Sequence, residues 1–79
     1  MKQLRWSLEQ NDAEVASGEG PHDFAFADAL HYAAVYNQDG PVVLYEVRPR
    51  SKVLLLMATK GAMAGIAHHA QMAQAVRGD

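Results

Sequence analysis

The sequence predicts an α+β fold: a two-layer domain in which a three- to four-stranded antiparallel sheet carries two helices on one face, in the order β(β)αββα. Three observations predict it. Apolar residues alternate with polar ones over 3–9 and 42–48, they recur at a helical period over 26–36 and again over 63–76, and Gly, Pro or Asn-Asp clusters separate these segments. Elements this short bury their apolar faces best as two stacked layers.

Over 3–9, Leu4, Trp6 and Leu8 share one parity and Gln3, Arg5, Ser7 and Glu9 the other, the mark of a strand with one buried face. Gln10-Asn11-Asp12 has turn chemistry, because Asn and Asp tolerate the backbone angles of a tight hairpin, and 13–17 can return as a short strand centred on Val15. Gly18-Glu19-Gly20-Pro21 reads as a loop, since two glycines and a proline disfavour both ladder and helix. From Asp23 or Ala27 onward the period changes. Phe26, Ala29, Leu30, Ala33 and Tyr36 fall on one stripe with Asp28, His31 and Gln38 opposite, which predicts an amphipathic helix ended by Gly40 in a left-handed cap and by Pro41.

The segment 42–48 is a β-branched, alternating strand stopped by Pro49, and 53–59 is a second, more apolar strand paired with it across 49–52. Because 53–57 has no polar parity, it is expected at the centre of the sheet. Thr59 is a fair N-cap for a last helix with the stripe Met63, Ile66, Ala70, Ala73 and Val76, favoured by Arg77 at its carboxyl end and followed by Gly78. The expected core is Leu4, Trp6, Leu8, Phe26, Leu30, Ala33, Val43, Tyr45, Leu55, Ile66, Ala70 and Ala73. The strands keep a second apolar parity, and a second apolar face on a small domain meets a partner, either another copy in a homodimer or a foreign protein.

With 79 residues, one domain over 1–79 with a thin core is expected. Apolar residues at 49% and charged residues at 20% place the chain with globular proteins rather than disordered ones. The absence of cysteine removes disulfides, thiolate metal sites and thiol nucleophiles. The longest aliphatic run, 53–58, is far short of the roughly 20 residues that span a bilayer, and no hydrophobic signal segment opens the sequence, so a soluble, cytoplasmic protein with no membrane partner is expected.

No pattern for catalysis stands out. Of His22, His31, His68 and His69, the adjacent pair points about 100° apart on a helix, and neither has a histidine or carboxylate three or four residues away, so no metal site is expected. Ser7, Ser17 and Ser51 lie outside any nucleophile-elbow pattern, and Asp28 with His31 reads as a surface pair. Gly18-Glu19-Gly20 lacks the Lys-Ser/Thr of a phosphate loop. The expectation is a protein that is no enzyme and has no cofactor. Arg48, Arg50 and Lys52 cluster at a hairpin tip, yet the chain is not basic and no aromatic interleaves them, which favours a solvated turn over nucleic acid.

Charge is divided unevenly. The net charge is −2, but 9–28 holds Glu9, Asp12, Glu14, Glu19, Asp23 and Asp28 and no Lys or Arg. Such a block creates a local negative field that speeds docking on a basic cleft and rejects free nucleic acid. Asp12, Glu14, Glu19 and Asp23 are accordingly the expected partner-binding residues.

A short, cysteine-free, alanine-rich chain with a strand, an acidic loop, a helix ending in Asp39-Gly40-Pro41-Val42, a hairpin and a final helix resembles the small anti-CRISPR proteins of phages and mobile elements directed against type I surveillance complexes. The resemblance covers the whole chain through size, composition and element order, and no shared motif carries a functional residue over. It implies a non-enzymatic inhibitor that acts in the host cell, binds a subunit of the complex and denies it target DNA, often by covering a basic DNA-binding surface. A net charge of −2 is weak for wholesale DNA mimicry, so any mimicry is local. The alternative is a small self-associating structural or regulatory phage protein, with DNA binding through Arg48, Arg50 and Lys52 as a lesser variant.

Overall fold

In a computed structural model the described residues are 2–64. They form β1 (Gln3–Gln10), β2 (Ala13–Pro21), α1 (His22–Asn37), β3 (Val42–Arg48) and β4 (Ser51–Ala58). The strands make one antiparallel sheet in the order β2-β1-β3-β4, so the α+β class and the antiparallel sheet stand. One helix is present among the described residues. Most of the expected second one, including Ile66, Ala70, Ala73 and Val76, lies outside them. A helix does not start at Thr59, because the chain first turns: Ala62 N–H donates to the Thr59 carbonyl at 3.0 Å and Gly61 adopts φ 78°.

The first hairpin follows from Asn11 and Asp12, both at positive φ (56° and 63°), the backbone that a tight two-residue connection between twisted strands requires. Its second strand is longer than the sequence suggests. The segment read as a loop, 18–21, continues the ladder, with Gly18 opposite Trp6 and Gly20 opposite Leu4. Gly18 suits this place because the indole lies against it: a Cβ there would sit 2.9 Å from Trp6 Nε1. Glycine reads as a breaker in sequence, but here it makes room for the largest side chain of the core.

α1 begins at His22, directly after β2, and lies across β1, β2 and the near side of β3. The buried face is Ala25, Ala29, Ala33, Ala34 and Asn37, one residue round from the expected stripe, so that Phe26, Leu30 and Tyr36 only flank the core. Alanines allow the helix backbone to approach the sheet, and the larger side chains then fill the edges of the contact. The helix does not end on a left-handed Gly40; Gln38 is a right-handed C-cap, and Asp39 N–H donates to the Tyr36 carbonyl at 3.0 Å.

Under the helix, Leu4, Trp6 and Leu8 are buried as expected. The parity of β3 is the reverse of the expected one: Leu8 pairs with Leu44, which with Val42 faces the helix, while Val43 and Tyr45 point to the other side. Both parities of this strand are apolar, so only the pairing partner decides which is buried. β4 is an edge strand, not a central one, and Leu55, expected in the core, is 36% exposed beside a bulge where Leu44 pairs with Leu56 but Tyr45 pairs with Leu54.

Candidate functional site: the uncovered face of the sheet

Alternation along each strand sends one set of side chains away from α1. The register brings together Arg5, Ser7 and Glu9 of β1, Glu14, Ser17 and Glu19 of β2, Val43, Tyr45 and Val47 of β3, and Lys52, Leu54 and Met57 of β4. No described element covers this face. It has two halves. The β2–β1 half is polar and charged; the β3–β4 half is apolar, with Leu54 and Met57 left 52% and 69% exposed.

Short contacts order the charged half. Glu19 pairs with Arg5 at 3.5 Å, and Ser7 Oγ donates to Glu14 Oε1 at 2.7 Å. Lys52 reaches from β4 across β3 to Glu9 at 2.7 Å, with its ammonium 4.5 Å from the centre of the Tyr45 ring. The Glu9 hydrogen bond holds the Lys52 ammonium above the ordinary lysine pKa against the opposing effect of desolvation, with the negative charge of Glu9 and its neighbours adding to it. A shallow open depression of about 390 Å³ lies among Arg5, Glu14, Ser17, Glu19 and Val47.

The acidic block of the sequence is therefore dispersed. Of the four expected partner-binding residues, Glu14 and Glu19 share the uncovered face. Asp12 sits at the tip of the first hairpin and Asp23 at its other end, in the first turn of α1 beside the His22 ring at 3.3 Å. Compensating bases, absent from 9–28 in sequence, arrive from other strands as Arg5 and Lys52. Glu14 is the carboxylate of this face that makes no ion pair among the described residues, although its charge still acts on the Lys52 ammonium. The doubled apolar parity signalled a second apolar face that meets a partner, but with Val43 and Tyr45 assigned to the core the residues of that face, Val43, Tyr45, Val47, Leu54 and Met57, were not the ones expected.

No protein family, curated protein or solved structure matches the chain.

Ser7 is buried and bonded to a carboxylate, and the described histidines, His22 and His31, are on α1 across the sheet, so this hydroxyl has no imidazole to act on it. Among the described residues no group of three or more His, Asp or Glu side chains has the arrangement of a metal site. At the β3–β4 tip, Arg48 is taken by Glu46 at 3.0 Å and Lys52 by Glu9, leaving Arg50 as the cation of that cluster without a carboxylate among the described residues. No helix among the described residues is long and apolar enough to cross a membrane. What the face offers is area: exposed aliphatic side chains beside a rim of oriented charges, the composition of a protein-docking surface.

Proposed function

We propose that this chain is a non-enzymatic, protein-binding inhibitor that docks through the uncovered face of its sheet. The observation that supports it is the juxtaposition on one face of Leu54 and Met57, both exposed, with Glu14 and the ion-paired Glu9 and Glu19. The apolar half supplies affinity by leaving water, and Glu14 selects a basic partner surface, to which Glu9 and Glu19 turn by exchanging Lys52 and Arg5 for cations of the partner. The partner class rests on the whole-chain resemblance: a DNA-binding subunit of a type I surveillance complex in the host cell, whose basic surface is the complement of this rim. Occlusion of that surface denies it target DNA. The competing reading, a DNA-binding module, is weakened by the ion pairs that occupy Arg48 and Lys52.

The test is direct. Purified chain is titrated into a type I surveillance complex, and target-DNA binding by the complex is followed together with association rates at several salt concentrations. The expected outcome is loss of DNA binding with a salt-sensitive on-rate, and for Glu14→Lys an on-rate about tenfold slower. A chain that neither binds the complex nor reduces DNA binding ends the inhibitor reading, and tight DNA binding by the chain itself, lost in Arg48→Ala/Arg50→Ala, moves it to the DNA-binding module.

A further inference from the structure

The outer side of α1 is not the polar face that a helix packed on one side of a sheet normally turns to water. Phe24 is 75% exposed and Val35 47%, and between them lie Asp28 and His31, also exposed. Their spacing of four, three and four residues puts them on a single seam, apolar at both ends and polar at its centre, of the kind by which a helix meets another helix. The seam is roughly 16 Å long at 1.5 Å per residue. Asp28 and His31 have no ion-pair partner among the described residues.

We infer that this seam is the site at which a second copy of the chain docks, as an antiparallel α1–α1 pair about a two-fold axis. What selects a second copy is that the seam is complementary to itself in that orientation and no other. Running antiparallel, each Phe24 lies at the height of the partner copy's Val35, and each Asp28 at the height of the partner copy's His31. Every level of the seam then joins apolar to apolar or a carboxylate to an imidazole, and the central polar pairs fix the register. A parallel pair sets Asp28 against Asp28, which electrostatics disfavours, and leaves neither carboxylate an imidazole. The apolar strand β4 is the other place where copies could meet, but its edge is broken by the bulge at Leu55, and bulges twist an edge away from further pairing. The dimer uses the opposite side of the domain from the uncovered sheet face, so the inference stands or falls separately from the proposed function.

Light scattering of the full chain over roughly 5–500 µM tests it, a range that brackets the weak end of homodimer affinities. The mass is expected to rise with concentration from 8.6 kDa towards twice that value. Phe24→Glu and Val35→Glu, at positions exposed in the folded domain and checked by circular dichroism, are expected to raise the dissociation constant at least tenfold, whereas Met57→Lys on the sheet face leaves it unchanged. Asp28→His weakens the dimer, and adding His31→Asp in the same chain restores it. Because the chain has no cysteine, an equimolar mixture of Phe24→Cys and Val35→Cys chains is expected to form the mixed disulfide faster than either chain forms its own. A mass of 8.6 kDa at every concentration overturns the inference, as does a dimer abolished by Met57→Lys but not by Phe24→Glu, or a Phe24→Cys chain that cross-links to itself as fast as the mixture.

Discussion

The Asn37 side chain is 1% exposed and fully engaged: Nδ2 donates to the carbonyls of Thr59 at 2.7 Å and Gly40 at 3.2 Å, and Oδ1 accepts from Met63 N–H at 2.9 Å. One amide thus ties the end of α1, the entry to β3 and the segment after β4. Asn37→Ala removes the side-chain partner of the buried Met63 N–H and of the Thr59 carbonyl, while the Gly40 carbonyl keeps the Gln10 amide at 3.3 Å, and it is expected to cost on the order of 1–3 kcal/mol, read as a lower urea midpoint at unchanged slope. Asn37→Asp keeps the shape but turns an oxygen towards two carbonyls, which disfavours the ionised form. Its folded pKa is raised above the unfolded value of about 3.9, so the folded state holds the proton longer. Relative to the parent, the variant is most stable below that value and loses stability as pH rises through the folded pKa, with its full deficit at neutral pH. A deficit independent of pH means that the lost donor, not the charge, is what matters. Gly18→Ala is the complementary test of close approach, expected to cost about 1–3 kcal/mol because its Cβ meets the Trp6 indole.

For the helix, alternation of size decides what is buried. Ala29 and Ala33 are at 0% exposure while Leu30 only flanks the core, so Ala29→Leu is expected to cost about 1–3 kcal/mol and Leu30→Ala less than about 2 kcal/mol, the reverse of what side-chain size in the sequence suggests. Thermal melts of the two variants check the order. The strands were legible where parity was chemically distinct: Leu4, Trp6 and Leu8 against Arg5, Ser7 and Glu9 could be read only one way. In β3 both parities are apolar, and the choice between Val42 with Leu44 and Val43 with Tyr45 is made by pairing with β1, a long-range contact that no local pattern encodes. The same holds for the site. Glu9 and Glu19 were visible as acids, but the cations that answer them are set by strand pairing: Arg5 meets Glu19 across the first hairpin, and Lys52 reaches Glu9 from a strand far away in sequence. The Glu9–Lys52 bridge ties β1 to β4 across β3, and its pH dependence follows from the raised lysine pKa. The folded ammonium holds its proton more tightly than the unfolded one, so its small stabilisation is complete below the unfolded pKa and is lost as pH rises through the folded value. Lys52→Met is expected to flatten that alkaline decline; an identical decline in the variant removes the bridge from the account.

At the scale of the molecule, one thin layer of core leaves exposed apolar side chains on two opposite sides: the β3–β4 half of the sheet, and the outer seam of α1 with Phe24 and Val35 at its ends. A domain this small has too little interior for its apolar residues, and aliphatic groups that reach the surface in clusters serve contacts with other chains. The two surfaces share no residue and are separated by the full thickness of the domain, so substitutions on them are expected to act independently. Met57 is the sharpest probe of the sheet face, because at 69% exposure it contributes little to the fold while standing in the apolar half. Met57→Lys is expected to leave stability within about 0.5 kcal/mol of the parent, as surface substitutions do, and to weaken docking on the proposed basic partner at least tenfold, because it replaces buried area by a charge of the wrong sign. In the inferred α1–α1 dimer, Phe24→Glu by contrast is expected to lower apparent affinity only for a partner that offers two sites within reach, since it would remove bivalency without touching the proposed docking face. A loss from Phe24→Glu but not from Met57→Lys on a partner with a single site means that the binding surface is the helix, and an unchanged affinity for Met57→Lys with an intact fold removes the sheet face as the docking surface.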